Sequence, residues 1–179
     1  LGYGLANDGV RLDDAERMVA RAVAAEPDVS AYLDSMGWVY YKKAEFERAL
    51  EWLERSLKAD SGNHPVIIDH LGDTYYRLAR PAEAVRMWNR AQQVMMADGY
   101  ESMDPEEADL PERLSNKLNA VAQDQPAPVA DLGEGVEIPV QPEVPEASEA
   151  LPTTPENPAA APVLPAGDTP AENAAPAAP

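Results

Sequence analysis

The chain has 179 residues, a net charge of −18 and no cysteine, with 14 cationic side chains against 32 acidic ones. Acidity of this order repels phosphate and anionic lipid, which argues against nucleic-acid binding and membrane adhesion. The missing thiols exclude disulfide and cysteine chemistry, and no stretch approaches the roughly 18 apolar residues of a membrane span.

The chain opens on Leu1-Gly2-Tyr3-Gly4-Leu5, which returns 35 positions later as Met36-Gly37-Trp38-Val39-Tyr40-Tyr41 and after another 35 as Leu71-Gly72-Asp73-Thr74-Tyr75-Tyr76. A fixed period in the thirties marks a repeat architecture. A second register runs with it. Ala15, Ala49 and Ala84 recur in step, as do Ala22, Ser56 and Ala91, with Val19, Leu53 and Trp88 between them. Small residues let two helices approach, and large ones fill the space opposite. The pattern predicts pairs of antiparallel helices stacked in tandem.

The first pair, residues 1–29, is partial: the end of one helix, a turn at Asp8-Gly9, and a helix over Leu12–Ala25 closed by Pro27. Because Leu1 falls inside a repeat phrase, the chain is expected to be the C-terminal piece of a longer protein. Its open face should expose Leu5, Leu12 and Val19 and offer a route to self-association. The second pair, 30–63, has Ser30 as expected N-cap, a turn at Lys43-Ala44-Glu45, and Glu51/Arg55 and Glu54/Lys58 as i,i+4 pairs. The third, 65–97, starts with Pro65 at a first helical position and turns at Arg80-Pro81. Gly9 is replaced by Ala44 and Arg80 at the later turns, so those turns are expected to differ in shape, since a left-handed residue without glycine costs about 1–2 kcal/mol.

An acidic connector, 98–109, leads to Leu110, Leu114, Leu118 and Val121 at helical spacing. Residues 110–122 are expected to cap the stack, with Arg113, Lys117 and Asn119 on a polar back. All eleven aromatics lie between Tyr3 and Tyr100, whereas residues 124–179 hold 13 Pro, 13 Ala, ten acids and no cation. Such a tail cannot bury enough apolar area to offset its chain entropy and is expected to be disordered. Its removal should leave stability unchanged. The phrase Asp131-Leu132-Gly133-Glu134-Gly135-Val136 is similar to the start of a lipoyl domain, but no lysine follows Lys117 to accept the cofactor. No cofactor is expected.

The repeat slots resemble the tetratricopeptide family. Leu33, Met36-Gly37, Tyr40, Ala49, Leu53 and Ser56 fill them once; Ile68, Leu71-Gly72, Tyr75, Ala84, Trp88 and Ala91 fill them again; residues 1–29 carry a remnant. The fold this implies is an all-α solenoid of about two and a half repeats with a capping helix and a tail. Phrases 33–41 and 69–73 are further similar to the C-terminal end of long proteobacterial members. Some of these are cell-envelope lipoproteins acting as adaptors for carboxyl-terminal processing proteases, which would place the chain in the envelope or periplasm.

The resemblance implies a concave groove lined by the first helix of each pair, with a protein or peptide ligand. Its slots fall on Tyr3, Asn7, Asp34, Trp38, Tyr41, Lys42, Asp69, Asp73, Tyr76 and Arg77. Trp38, Tyr41 and Tyr76 are the residue types that dominate interfaces, although the two tyrosines also suit packing between helices. The family's clamp for a C-terminal carboxylate is absent, its slots holding Tyr3, Ser35, Val66 and His70. His70 lacks a second His or Cys at ligand spacing and reads as structural rather than metal-binding. No nucleophile–base constellation or phosphate loop is present. The expected function is a non-catalytic interaction module; the alternative is a structural cap or regulatory appendage of a larger protein.

Overall fold

A computed structural model describes residues 2–98 and 107–138, so most of the acidic connector and the tail beyond 138 lie outside the described residues. Among the described residues seven helices run in order: α1 (Gly2–Asn7), α2 (Leu12–Ala25), α3 (Ser30–Lys42), α4 (Phe46–Lys58), α5 (Pro65–Arg77), α6 (Pro81–Asp98) and α7 (Leu110–Ala122). Consecutive helices pair as α1/α2, α3/α4 and α5/α6. Each pair stacks on the next, and α7 packs on α6. The described fold is an all-α solenoid. None of its helices is long and apolar enough to cross a membrane.

Two registers hold the pairs together. Ala15, Ala49, Ala84 and Ala91 are fully buried, as are Leu53 and Trp88. A Cβ added at Gly37 would lie 2.6 Å from Leu53 Cγ, and one at Gly72 would strike the Trp88 indole. Glycine at these positions therefore makes room for the large residue of the facing helix, as the spacing predicts. Ser56, where alanine is usual, donates to the Ser30 carbonyl at 2.8 Å in the interior, which satisfies its hydroxyl on burial.

Several expectations are corrected. Ser30 is the first helical residue and Val29 the cap, with no side-chain capping bond. The turns after α1, α3 and α5 each carry a left-handed residue at the equivalent place, Gly9, Ala44 and Ala79, with φ 70°, 58° and 56°. Ala79, not Arg80, is the equivalent residue. After α3 the amides of Ala44 and Glu45 donate to Tyr41 and Tyr40; after α5 those of Ala79 and Arg80 donate to Tyr76 and Tyr75. This is the Schellman closure, in which two otherwise orphaned carbonyls are satisfied and the left-handed residue is tolerated without glycine. Arg55 lies over the Trp52 ring at 4.5 Å, whereas the expected Glu54–Lys58 ion pair does form, at 3.9 Å.

On the open side Val19 is buried rather than exposed, and Leu12 is covered in part by Gly133. Lys117 does not sit on a polar back. It points inward and is 2% exposed.

The largest departure concerns residues 124–138, assigned by composition to a disordered tail. Asp124, at φ 56°, closes α7 with the same two-bond motif, the amides of Asp124 and Gln125 donating to Val121 and Ala120. The chain then turns back along the face formed by α5, α3 and α1. Ala127 and Val129 pack on the apolar cluster of the third pair and α7, and Ala130, Leu132 and Val136 on that of the first two pairs.

Candidate functional site

Helices α1, α3 and α5 present one face to this returning segment, and all ten sequence-selected groove residues gather there. The floor is an aromatic stack. Trp38 lies between Tyr41, with ring centroids 4.6 Å apart at 12°, and His70, at 3.8 Å and 15°. Trp38 donates from Nε1 to Asn7 Oδ1 at 3.4 Å, and the Lys42 ammonium sits 5.5 Å from its ring. His70 is fixed from the far side by Asp34, whose Oδ1 is 2.8 Å from Nδ1. Tyr3 leans towards the same imidazole at 6.3 Å. His70, set aside as structural, is thus a member of the groove floor, and it is buried with a partner.

A buried charge cluster lies beside the stack. Lys117 of α7 reaches Asp69 Oδ1 at 2.7 Å and Asp73 Oδ1 at 2.6 Å. Arg113 approaches Asp69 Oδ2 at 3.5 Å, and Trp88 donates to Asp73 Oδ1 at 3.1 Å. Burial, reinforced by the neighbouring Asp69, raises the Asp73 carboxyl above its ordinary range, against the pull of Lys117 and the Ala130 amide. Burial opposes charge on Lys117, but Asp69 and Asp73 outweigh it and raise its pKa. Burial lowers the pKa of Lys42, against the pull of Asp131 and Asp73. With Lys117 shared between the two acids and Arg113 only partly buried beside Asp69, Asp73 Oδ2 stays open to hydrogen-bond donors from whatever lies above it.

The segment above supplies them from its backbone. The Ala127 amide donates to the Tyr76 hydroxyl at 2.9 Å and the Ala130 amide to Asp73 Oδ2 at 3.0 Å. The Ala130 carbonyl accepts from Tyr41 at 2.7 Å and from Arg77 Nη2 at 2.9 Å, and Arg77 Nε donates to the Tyr41 oxygen at 3.2 Å. Farther along, the amides of Gly133 and Glu134 donate to the carbonyls of Lys42 and Gly9, both at 2.8 Å. Tyr41 is therefore wholly enclosed, and burial followed by the charge of Asp73 holds its hydroxyl protonated far above the ordinary phenol range.

Tyr3, Trp38 and Asp73 occupy the same slot in α1, α3 and α5. All three line a cavity of about 130 Å³ left between the groove floor and Pro128–Ala130. Sequence reasoning found this slot but missed three contributors: His70, Lys117 and the segment itself. Lys117 had one signal, a lone cation among the apolar positions of α7. The segment had fewer, because its contacts are made by main-chain atoms that every sequence possesses. Among the described residues no group of three or more His, Cys, Asp or Glu side chains is placed to hold a metal ion.

Tandem helix pairs in this register, with small residues buried opposite large ones, are the arrangement that tetratricopeptide repeats adopt. No family model matches the chain. Over 73 residues it is 33% identical to TPR repeat-containing protein PA4667 of Pseudomonas aeruginosa, a match that covers 41% of this chain. It spans only 12% of that protein's length.

Proposed function

We propose that the concave face of α1, α3 and α5 binds a protein segment in extended conformation, as a non-catalytic interaction module. One observation carries this: the main chain of residues 127–134 is held there by Tyr76, Asp73, Tyr41, Arg77 and the carbonyls of Lys42 and Gly9. A face that satisfies amides and a carbonyl without using a side chain of the bound segment is built to receive backbone, as peptide-recognition surfaces are. The tetratricopeptide repeats support the same use. The narrower resemblance to envelope lipoproteins gives it a setting, the presentation of an extended segment to a processing protease.

A peptide library selected on full-length protein carrying Gly133→Val, which releases the resident segment, tests the groove. Enriched peptides are expected to lose binding when Arg77→Ala is added. A selection that enriches nothing, or peptides indifferent to Arg77, would overturn the reading. A second reading, a structural cap for a longer protein, draws on the same segment, because a groove permanently filled from within needs no partner. It requires that the segment never exchange with peptide from solution.

A further inference from the structure

Residues 125–136 are held as a ligand is held. Their polar contacts to the groove run through main-chain atoms at Ala127, Ala130, Gly133 and Glu134. The first three anchors are three residues apart, the interval at which an extended three-residue-per-turn chain returns to one side. The side chains there are minimal, and at Gly133 nothing larger fits. A Cβ would lie 2.5 Å from Leu12 Cδ1, 3.0 Å from the Gly9 carbonyl oxygen and 3.1 Å from that of Lys42, and two of these three are backbone atoms that cannot swing away. Between the anchors, Val129 and Leu132 rest on the two apolar clusters. The groove thus reads small–x–x–small–x–x–Gly, with Pro128, Val129 and Leu132 between the anchors and Asp131 acting on the ammonium of Lys42.

The segment is also placed to be exchanged. It is tied to the solenoid at one end through the close of α7. Its hydrogen bonds and the apolar contacts of Val129, Leu132 and Val136 are set against the entropy of ordering the stretch. Tethering supplies it at an effective concentration of about 1 mM, so an equivalent segment free at about 10 µM would fill only about 1% of grooves.

Resting on the groove reading above, we infer that the partner is an extended, Pro/Ala-rich segment of another protein with small residues at the first two anchors and glycine at the third, and that residues 125–136 are its tethered competitor. The test uses a fluorescent peptide of residues 124–138 on full-length protein. Wild type is expected to show no binding at micromolar peptide. The Ala130→Pro, Gly133→Val chain, which loses one amide and gains a clash while its groove stays intact, is expected to bind at least about 30-fold better. A peptide bearing valine at the position of Gly133 is expected to fail.

If the double variant loses its helical circular dichroism, Gly133→Ala replaces it with a smaller expected gain. A folded variant that ignores the peptide overturns the inference, as does wild type that binds equally well. A concentration-dependent wild-type dimer would also overturn it by seating a second copy. Should the library find other peptides that depend on Arg77 while this one fails, the groove reading stands and only the partner pattern falls.

Discussion

The Tyr41 hydroxyl donates to the Ala130 carbonyl at 2.7 Å across 89 positions of sequence. It joins a repeat helix to a segment whose composition suggests free chain. Tyr41 is 0% exposed with that segment lying over it and Trp38 and Phe46 against its ring, so the groove and its cover are one structure. Composition argues that deletion from residue 124 onwards is neutral. With the cover in place the opposite is expected: a loss of about 1–2 kcal/mol as Tyr41, Asp73 and Tyr76 lose partners that water replaces only in part. Urea unfolding of the truncated chain measures it, and an unchanged midpoint would place the segment off the groove.

Lys117 is the second joint. It enters from α7 between Asp69 and Asp73 and is 2% exposed. Lys117→Ala leaves Asp73 without its cation and Asp69 with only the more distant Arg113, and should cost about 3–5 kcal/mol. Adding Asp69→Asn is expected to restore part of it, because one of the two repelling charges is then gone. A loss under about 1 kcal/mol in chemical denaturation would mean that α7 does not dock through this cluster.

Trp88 fills the space that Gly72 leaves. Trp88→Ala should cost about 3–5 kcal/mol through the cavity it opens, and Gly72→Ala about 1–3 kcal/mol by overpacking. Equilibrium unfolding of the two single variants and their double checks this. Non-additivity is expected, because Trp88→Ala makes room for the added methyl.

Alkaline pH should weaken the fold through Tyr41 and Lys117, whose folded pKa values are raised above their ordinary 10.0 and 10.5. Once pH passes 10 the unfolded chain releases these protons while the folded chain keeps them. Their stabilising contribution is therefore complete below about pH 10 and is lost as pH rises through the folded values. The melting temperature should fall between pH 9.5 and about 11.5, and less so in Tyr41→Phe, which has no phenol to ionise. Equal slopes in the two proteins would contradict this.

The fold was legible where side chains carry it. Gly37 with Leu53 and Gly72 with Trp88 announce the helix pairs by spacing, and Tyr3, Trp38 and Asp73 announce the variable groove slot. Ala44 and Ala79 hid their left-handed turns because helix-end hydrogen bonds, which any residue can make, hold them there. Residues 124–138 hid for a related reason. They lack apolar periodicity, and their anchors are amides and a carbonyl. The usable signals were Gly133, and Tyr41 and Tyr76, hydroxyl-bearing groove residues with no partner evident nearby in the repeats.

Residue-resolved amide hydrogen exchange on the full-length protein tests the occupied groove most directly. The amides of Ala127, Ala130, Gly133 and Glu134 should be protected about 100-fold or more over free-chain rates, and Gly133→Val should abolish that protection while α3 and α5 keep theirs. Free-chain exchange at Ala130 and Gly133 in the wild-type protein would contradict it.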